Sequence, residues 1–150
     1  MSSVEMPRKE VPPPLELVKS RIEEALPPEV RERVEAGELA VVDTRPPEQF
    51  EQGRIAGAVN VPAGENGSDA HAEEFARRVS EAAGEKPALL YCNTGNRSAR
   101  ATDALLNEHG RTGGSSLVGG IRLWADLGFP VEGTVASEDE ETASEGDGEG

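Results

Sequence analysis

The stretch that most constrains this chain runs from Ala88 to Arg100: Ala-Leu-Leu-Tyr, then Cys-Asn-Thr-Gly-Asn, then Arg-Ser-Ala-Arg. Four apolar residues, Ala88 to Tyr91, follow Pro87 and predict a short buried strand. Asn93, Thr94, Gly95 and Asn96 are turn formers that accept tight bends and positive φ. Arg97-Ser98 then open a helix with Ala101, Ala104 and Leu105 on one face and a stop near Gly110. Cys92, the only cysteine, therefore stands at the carboxyl end of a strand, in a turn that feeds a helix. In an open α/β sheet that is where ligand sites form.

Backbone N–H groups of such a turn, with those of the helix start, make a concavity that attracts anions. A thiolate held there is stabilised, which predicts a Cys92 pKa below the ordinary value of about 8.5. Arg97 adds a permanent cation at the end of the loop. Most free cysteines are small buried hydrophobes, and that reading stands beside the reactive one. The Gly95-Asn96 turn and Arg97 favour reactivity.

This loop, Cys92-Asn93-Thr94-Gly95-Asn96-Arg97-Ser98, resembles the active-site loop of rhodanese-type sulfurtransferases. Val41-Val42-Asp43-Thr44-Arg45 is similar to the family's first core strand with its Asp-x-Arg ending, and residues 48–62 are similar to the segment that follows. Leu117-Val118-Gly119-Gly120-Ile121 through Trp124, then Gly128-Phe129-Pro130-Val131, are similar to its closing strand and helix. The motifs fall in order over about residues 38–132. Arg54 departs from the pattern, which commonly has histidine before the Ile-x-Gly-Ala run, and this puts local packing in question rather than chemistry.

Around this centre the chain reads as an alternation of helices and strands. Residues 1–14, with Pro12-Pro13-Pro14, form a flexible leader. Leu15, Val18, Ile22 and Leu26 recur at helical spacing, with a short edge strand over residues 18–22 as the alternative. Pro28, Val30, Val34 and Gly37 mark a second helix, and residues 38–43 the first core strand. Residues 48–53 make a short helical turn, residues 55–61 a second core strand ended by Pro62, and residues 64–69 a loop. A helix then runs from Asp69 or Ala70 to Ala83, with Phe75, Val79 and Ala82 inward and Gly84 as stop. Residues 111–116 are less apolar than a closing strand would suggest, so that strand should be short or poorly ordered. The last helix, residues 121–127, buries Ile121, Trp124 and Leu127. The alternation implies a doubly wound α/β fold, with a parallel sheet and helices on both faces. The resemblance implies a central five-stranded sheet.

The domain is expected over residues 15–133 and an acidic tail over 134–150, where residues 137–150 hold seven acidic side chains and no basic one. Net charge is −14, from 29 acidic against 15 basic residues, only three of them lysine, which disfavours nucleic acid or anionic membrane as partner. The same balance resembles that of proteins adapted to high salt. One cysteine allows no internal disulfide, and no apolar run approaches the ~18 residues of a membrane span, so a soluble, cytoplasmic protein is expected. His71 and His109 lack ligand-like spacing and are expected on helix surfaces.

The resemblance implies that Cys92 attacks the outer sulfur of a donor such as thiosulfate and carries it as a persulfide to a thiol or protein acceptor, without metal or organic cofactor. Asn93, Thr94, Gly95, Asn96, Arg97 and Ser98 would bind the persulfide, with N–H groups of residues 93–97 cradling it and the Thr94 or Ser98 hydroxyl assisting. Asp43 and Arg45 have a structural reading, as a buried pair, and a functional one, with Arg45 at the pocket rim binding donor anions; the structural reading is favoured. A related group of cell-cycle phosphatases has one more residue between cysteine and arginine, so the shorter loop here favours sulfur over phosphate. A sulfur-carrier or protein-interaction module, a silent fold, and arsenate reduction remain open on the sequence, and a monomer or weak dimer is expected.

Overall fold

The computed structural model describes residues 13–135. The leader before Pro13 and the acidic stretch 137–150 lie outside the described residues. In chain order the elements are α1 (Leu15–Ser20), β1 (Glu24–Ala25), α2 (Pro27–Glu35), β2 (Ala40–Asp43), α3 (Pro47–Gln52), β3 (Gly53–Ile55) and β4 (Val59–Asn60). A 3-10 segment (Glu65–His71), α4 (Glu73–Ala83), β5 (Ala88–Tyr91) and α5 (Asn96–Asp103) follow, the last widening into a π turn (Ala104–Glu108). Then come β6 (Gly114–Leu117), α6 (Gly120–Asp126) and β7 (Val131–Gly133).

Five strands form one sheet in the order β1-β6-β5-β2-β4, with every neighbouring pair parallel. β5 lies at its centre, all four residues buried, which is why its sequence is an unbroken apolar run rather than an alternation. Its side chains divide between two cores. Leu89 and Tyr91 pack with Val30 of α2 and with Ile121 and Trp124 of α6, while Ala88 and Leu90 pack with Phe75 and Val79 of α4 and Ala101 of α5. The fold is thus the doubly wound α/β architecture with helices on both faces. Asp43 aligns with Tyr91 in the β2–β5 pair, so both strands release their chains at the same edge.

Several elements differ from the sequence expectation. The N-terminal segment is a helix and then a strand: α1 ends at Ser20, and residues 24–25 join the sheet beside β6. Leu26 precedes Pro27, whose ring disfavours helical backbone at that position, and Leu26 is extended (φ −81°, ψ 143°). The edge strand therefore exists, but later than residues 18–22. Residues 55–61 do not make one strand. Gly57 turns the chain at φ 87°, leaving β3 to pair antiparallel with β7 and β4 to join the main sheet. In this small ribbon Arg54 Nε donates to Glu132 Oε1 at 3.2 Å and Nη1 to the Phe50 carbonyl at 2.9 Å.

The stretch expected as a loop at 64–69 is the 3-10 segment, bent at Asn66 and Gly67, which both have positive φ. α4 starts only at Glu73 and turns Ala83 inward, leaving Ala82 exposed. Leu127 lies just past α6 and is 45 % exposed. β6 is short, as expected, yet paired on both sides, to β1 and β5. The body also continues past Gly133: Thr134 N donates to the Gln52 carbonyl at 2.8 Å and Val135 packs against the α2–α6 core. Among the described residues no helix is long and apolar enough to cross a membrane.

Candidate active site

Cys92 is the first residue after β5, 4 % exposed and unpaired. The chain leaves the sheet and bends back at Gly95 (φ 102°), and α5 starts at Asn96. A side chain at residue 95 would adopt a conformation few L residues tolerate, and its Cβ would come within 3.1 Å of the Leu117 carbonyl oxygen. This bend brings two amides onto the sulfur: Gly95 N stands 3.2 Å and Ser98 N 3.3 Å from Cys92 Sγ. The nearer cradle is therefore Gly95 and Ser98, so its second donor lies one residue beyond the expected 93–97 span. The Ser98 hydroxyl lies 3.6 Å from the sulfur and 2.9 Å from the hydroxyl of Ser116 on β6.

The loop's carbonyls are held outward by α6. Ile121 N donates to the Cys92 carbonyl at 2.9 Å and Arg122 N to that of Asn93 at 3.2 Å. Gly120 makes this approach possible, because a Cβ there would lie 2.4 Å from the Cys92 oxygen and 2.5 Å from that of Asn93. The helix thus uses its unpaired N-terminal N–H groups on carbonyls and leaves the loop's own amides for the sulfur.

Beside this loop, at the end of β2, a second group of residues is bonded mainly within itself. Arg45 donates Nη2 to Asp43 Oδ2 at 2.7 Å and to the Gly53 carbonyl at 2.6 Å, and its Nε to Oδ1 at 3.0 Å. Tyr91 donates its hydroxyl to Asp43 Oδ2 at 2.8 Å and accepts Ile55 N at 3.1 Å. Burial, then the charge of Asp43, pushes the Tyr91 hydroxyl far above its ordinary range. Burial opposes the charge on Arg45, but hydrogen bonds and attraction from Asp43 outweigh it and hold the guanidinium more firmly protonated than usual.

Asn93 links the two groups: its Oδ1 accepts Arg45 Nη1 at 3.4 Å, and its Nδ2 donates to Gln49 Oε1 at 3.1 Å. A cleft of about 220 Å³ opens there, lined by Arg45, Gln49, Gln52, Asn93 and Arg122 among others. Thr94 and Asn96 are exposed at the loop tip. Arg97 is half-buried, and its guanidinium makes no hydrogen bond or ion pair with the described residues.

Sequence reasoning missed Ser116, Gly120 and the α6 amides, because they reach the loop only through the tertiary fold. The one visible signal was the Gly119-Gly120 pair after a strand. Neither histidine is near this cluster: His71 Nδ1 lies 2.8 Å from Glu108 Oε1, and His109 Nε2 2.9 Å from the Ala70 carbonyl. Among the described residues no group of three or more His, Cys, Asp or Glu could hold a metal ion.

The family model of the rhodanese-like domain matches residues 26–127. Thiosulfate sulfurtransferase 16, chloroplastic, from Arabidopsis thaliana is 37 % identical over 94 residues, which cover 61 % of this chain and 78 % of that protein. The adenylyltransferase and sulfurtransferase MOCS3-1 of Drosophila pseudoobscura pseudoobscura is 29 % identical over 106 residues, 69 % of this chain, which span 23 % of its length. Among solved structures, a protein of unknown function from Rhodopseudomonas palustris, described as a possible tyrosine phosphatase, superposes with a TM-score of 0.64 at 25 % identity, covering 79 % of this chain and 90 % of that one. With the family model spanning most of the described fold and Cys92 at the strand end the model includes, this chain belongs to the rhodanese-like domain family.

Proposed function

We propose that the protein is a sulfurtransferase that carries sulfane sulfur on Cys92. The Cys92 thiolate attacks the outer sulfur of thiosulfate, an S–S bond forms to Sγ, and the old S–S bond breaks with its electron pair leaving on sulfite. The resulting persulfide passes its terminal sulfur to a nucleophile, cyanide in the assay and a thiol or protein in the cell, regenerating the thiolate. No redox partner is consumed.

The observation that carries this reading is the tightness of the loop. Only four residues separate Cys92 from Arg97, and the amides of Gly95 and Ser98 already stand 3.2 and 3.3 Å from Sγ. Donors that converge on one sulfur suit a monatomic anion. A phosphoryl group needs three equatorial oxygens held at about 2.7–3.1 Å while the thiolate attacks in line, which calls for a wider ring. The phosphatase description of the Rhodopseudomonas relative makes that the alternative to test.

Incubation with thiosulfate followed by intact mass measurement should add one sulfur atom to the wild-type protein and none to Cys92→Ser, with negligible hydrolysis of aryl phosphates. Ready aryl phosphate hydrolysis without any gain of sulfur would overturn the proposal, as would wild-type thiosulfate:cyanide activity in Cys92→Ser.

A further inference from the structure

The polar character of β6 has a local reason. Residues 114–117 read Gly-Ser-Ser-Leu, an unpromising strand, yet Ser116 is paired on both sides and fully buried. A buried hydroxyl without a partner is costly, and the partner of the Ser116 hydroxyl is Ser98 Oγ at 2.9 Å, itself fully buried and 3.6 Å from Cys92 Sγ. The three atoms form a short chain from the middle of the sheet to the sulfur.

Each hydroxyl has one hydrogen to give. With the sulfur protonated, three hydrogens share two links, so one of them is left without an acceptor among the described residues whichever way the hydroxyls turn. With the sulfur ionised, two hydrogens fill two links: Ser116 donates to Ser98, which fixes and polarises the hydroxyl that Ser98 donates to the thiolate. We propose that Ser116 is a positioning residue that aims the Ser98 hydroxyl at Cys92 and so favours the reactive thiolate. The role in sulfur transfer rests on the function proposed above, whereas the effect on the thiol does not.

Other charged and titratable groups surround the loop without belonging to this chain. Asp43, Arg45 and Tyr91 are closed together at the ends of β2 and β5, Arg97 lies on α5, and Arg122 lies on α6. A substitution at Ser116 changes none of them.

The test is the rate of Cys92 alkylation by iodoacetamide across about pH 5 to 10, read by intact mass, which needs no sulfur donor. Ser116→Ala should move the midpoint up by about 0.5 to 1 unit. It should slow labelling below the midpoint and leave it equal or faster above, since a less stabilised thiolate is the stronger nucleophile. Ser116→Thr, which keeps the hydroxyl, should follow the wild type. A folded Ser116→Ala variant whose profile superimposes on the wild type overturns the proposal, and so does a threonine variant that behaves like alanine. If Ser116→Ala does not fold, Ser98→Ala decides: its midpoint must rise, and an unmoved midpoint overturns the relay. Failure to gain sulfur from thiosulfate, with these shifts intact, would instead count against the function.

Discussion

Two neighbouring strand ends in this molecule solve opposite problems. β2 and β5 are paired in register, Asp43 against Tyr91, and both chains emerge at the same edge of the sheet. At the β2 end the charges are spent mainly on each other: Arg45, with a side chain 6 % exposed, is held by Asp43 and the Gly53 carbonyl and reaches Asn93 with Nη1. At the β5 end, polar groups are aimed at one sulfur atom, and Arg97 has no such partner among the described residues. The same residue type is thus fully paired at one strand end and unpaired, among the described residues, at the other. A buried pair is a poor source of net stability but a costly thing to break, whereas an unpaired, partly exposed arginine costs the fold little to lose.

Substituting the two arginines should give the largest contrast. Arg45→Ala strands Asp43 in the interior and should cost about 3–5 kcal/mol in chemical denaturation. Arg97→Ala should leave stability within about 0.5 kcal/mol while lowering kcat/KM for thiosulfate about 100-fold, as loss of a charge-stabilising donor does. If Arg97→Ala unfolds the protein, or Arg45→Ala leaves it stable, the distinction between the two ends fails.

A smaller effect should come from widening the open end. One glycine inserted between Gly95 and Asn96 separates the amides now converging on Sγ. It should reduce sulfur transfer by about tenfold to 100-fold, the upper figure being what an ångström-scale misplacement can cost. The Asp43–Arg45 end should not notice, so the unfolding midpoint reports whether the loop length serves the site alone.

The smallest effect is expected from the C-terminus. Thr134 and Val135 border the cleft beside Arg45. Deleting residues 136–150 should therefore leave the unfolding midpoint and thiosulfate turnover nearly unchanged. A marked change in turnover alone would extend the open site to include that segment.

The legible parts were those whose chemistry is local. Ala88–Tyr91 announces a central strand because burial on both faces removes the need for alternation, and the Cys92–Ser98 loop is a turn and helix start written in consecutive residues. The split of residues 55–61 was hidden, since only pairing with β7, far along the chain, makes residues 53–55 a separate ribbon. Ser116 was hidden for a similar reason. In isolation its serine lowers strand propensity, and only the packing of β6 against β5 and α5 gives the hydroxyl its partner. Leu127 shows the converse: its apolar character suggested burial, yet the helix ended before turning it inward.

The clamp that α6 places on the carbonyls of Cys92 and Asn93 has a consequence for when the site comes into being. Synthesis delivers Cys92 well before Gly120, Ile121 and Arg122, and β6 must first find β5 on one side and β1 on the other. Until that closure the loop's peptide units are free to rotate, and nothing obliges their amides to face the sulfur. The surroundings of this thiol therefore depend on residues far along the chain as well as on its own loop. A chain that stops short of Gly120 lacks the clamp on the Cys92 and Asn93 carbonyls, so the arrangement around the sulfur is complete only once α6 is in place.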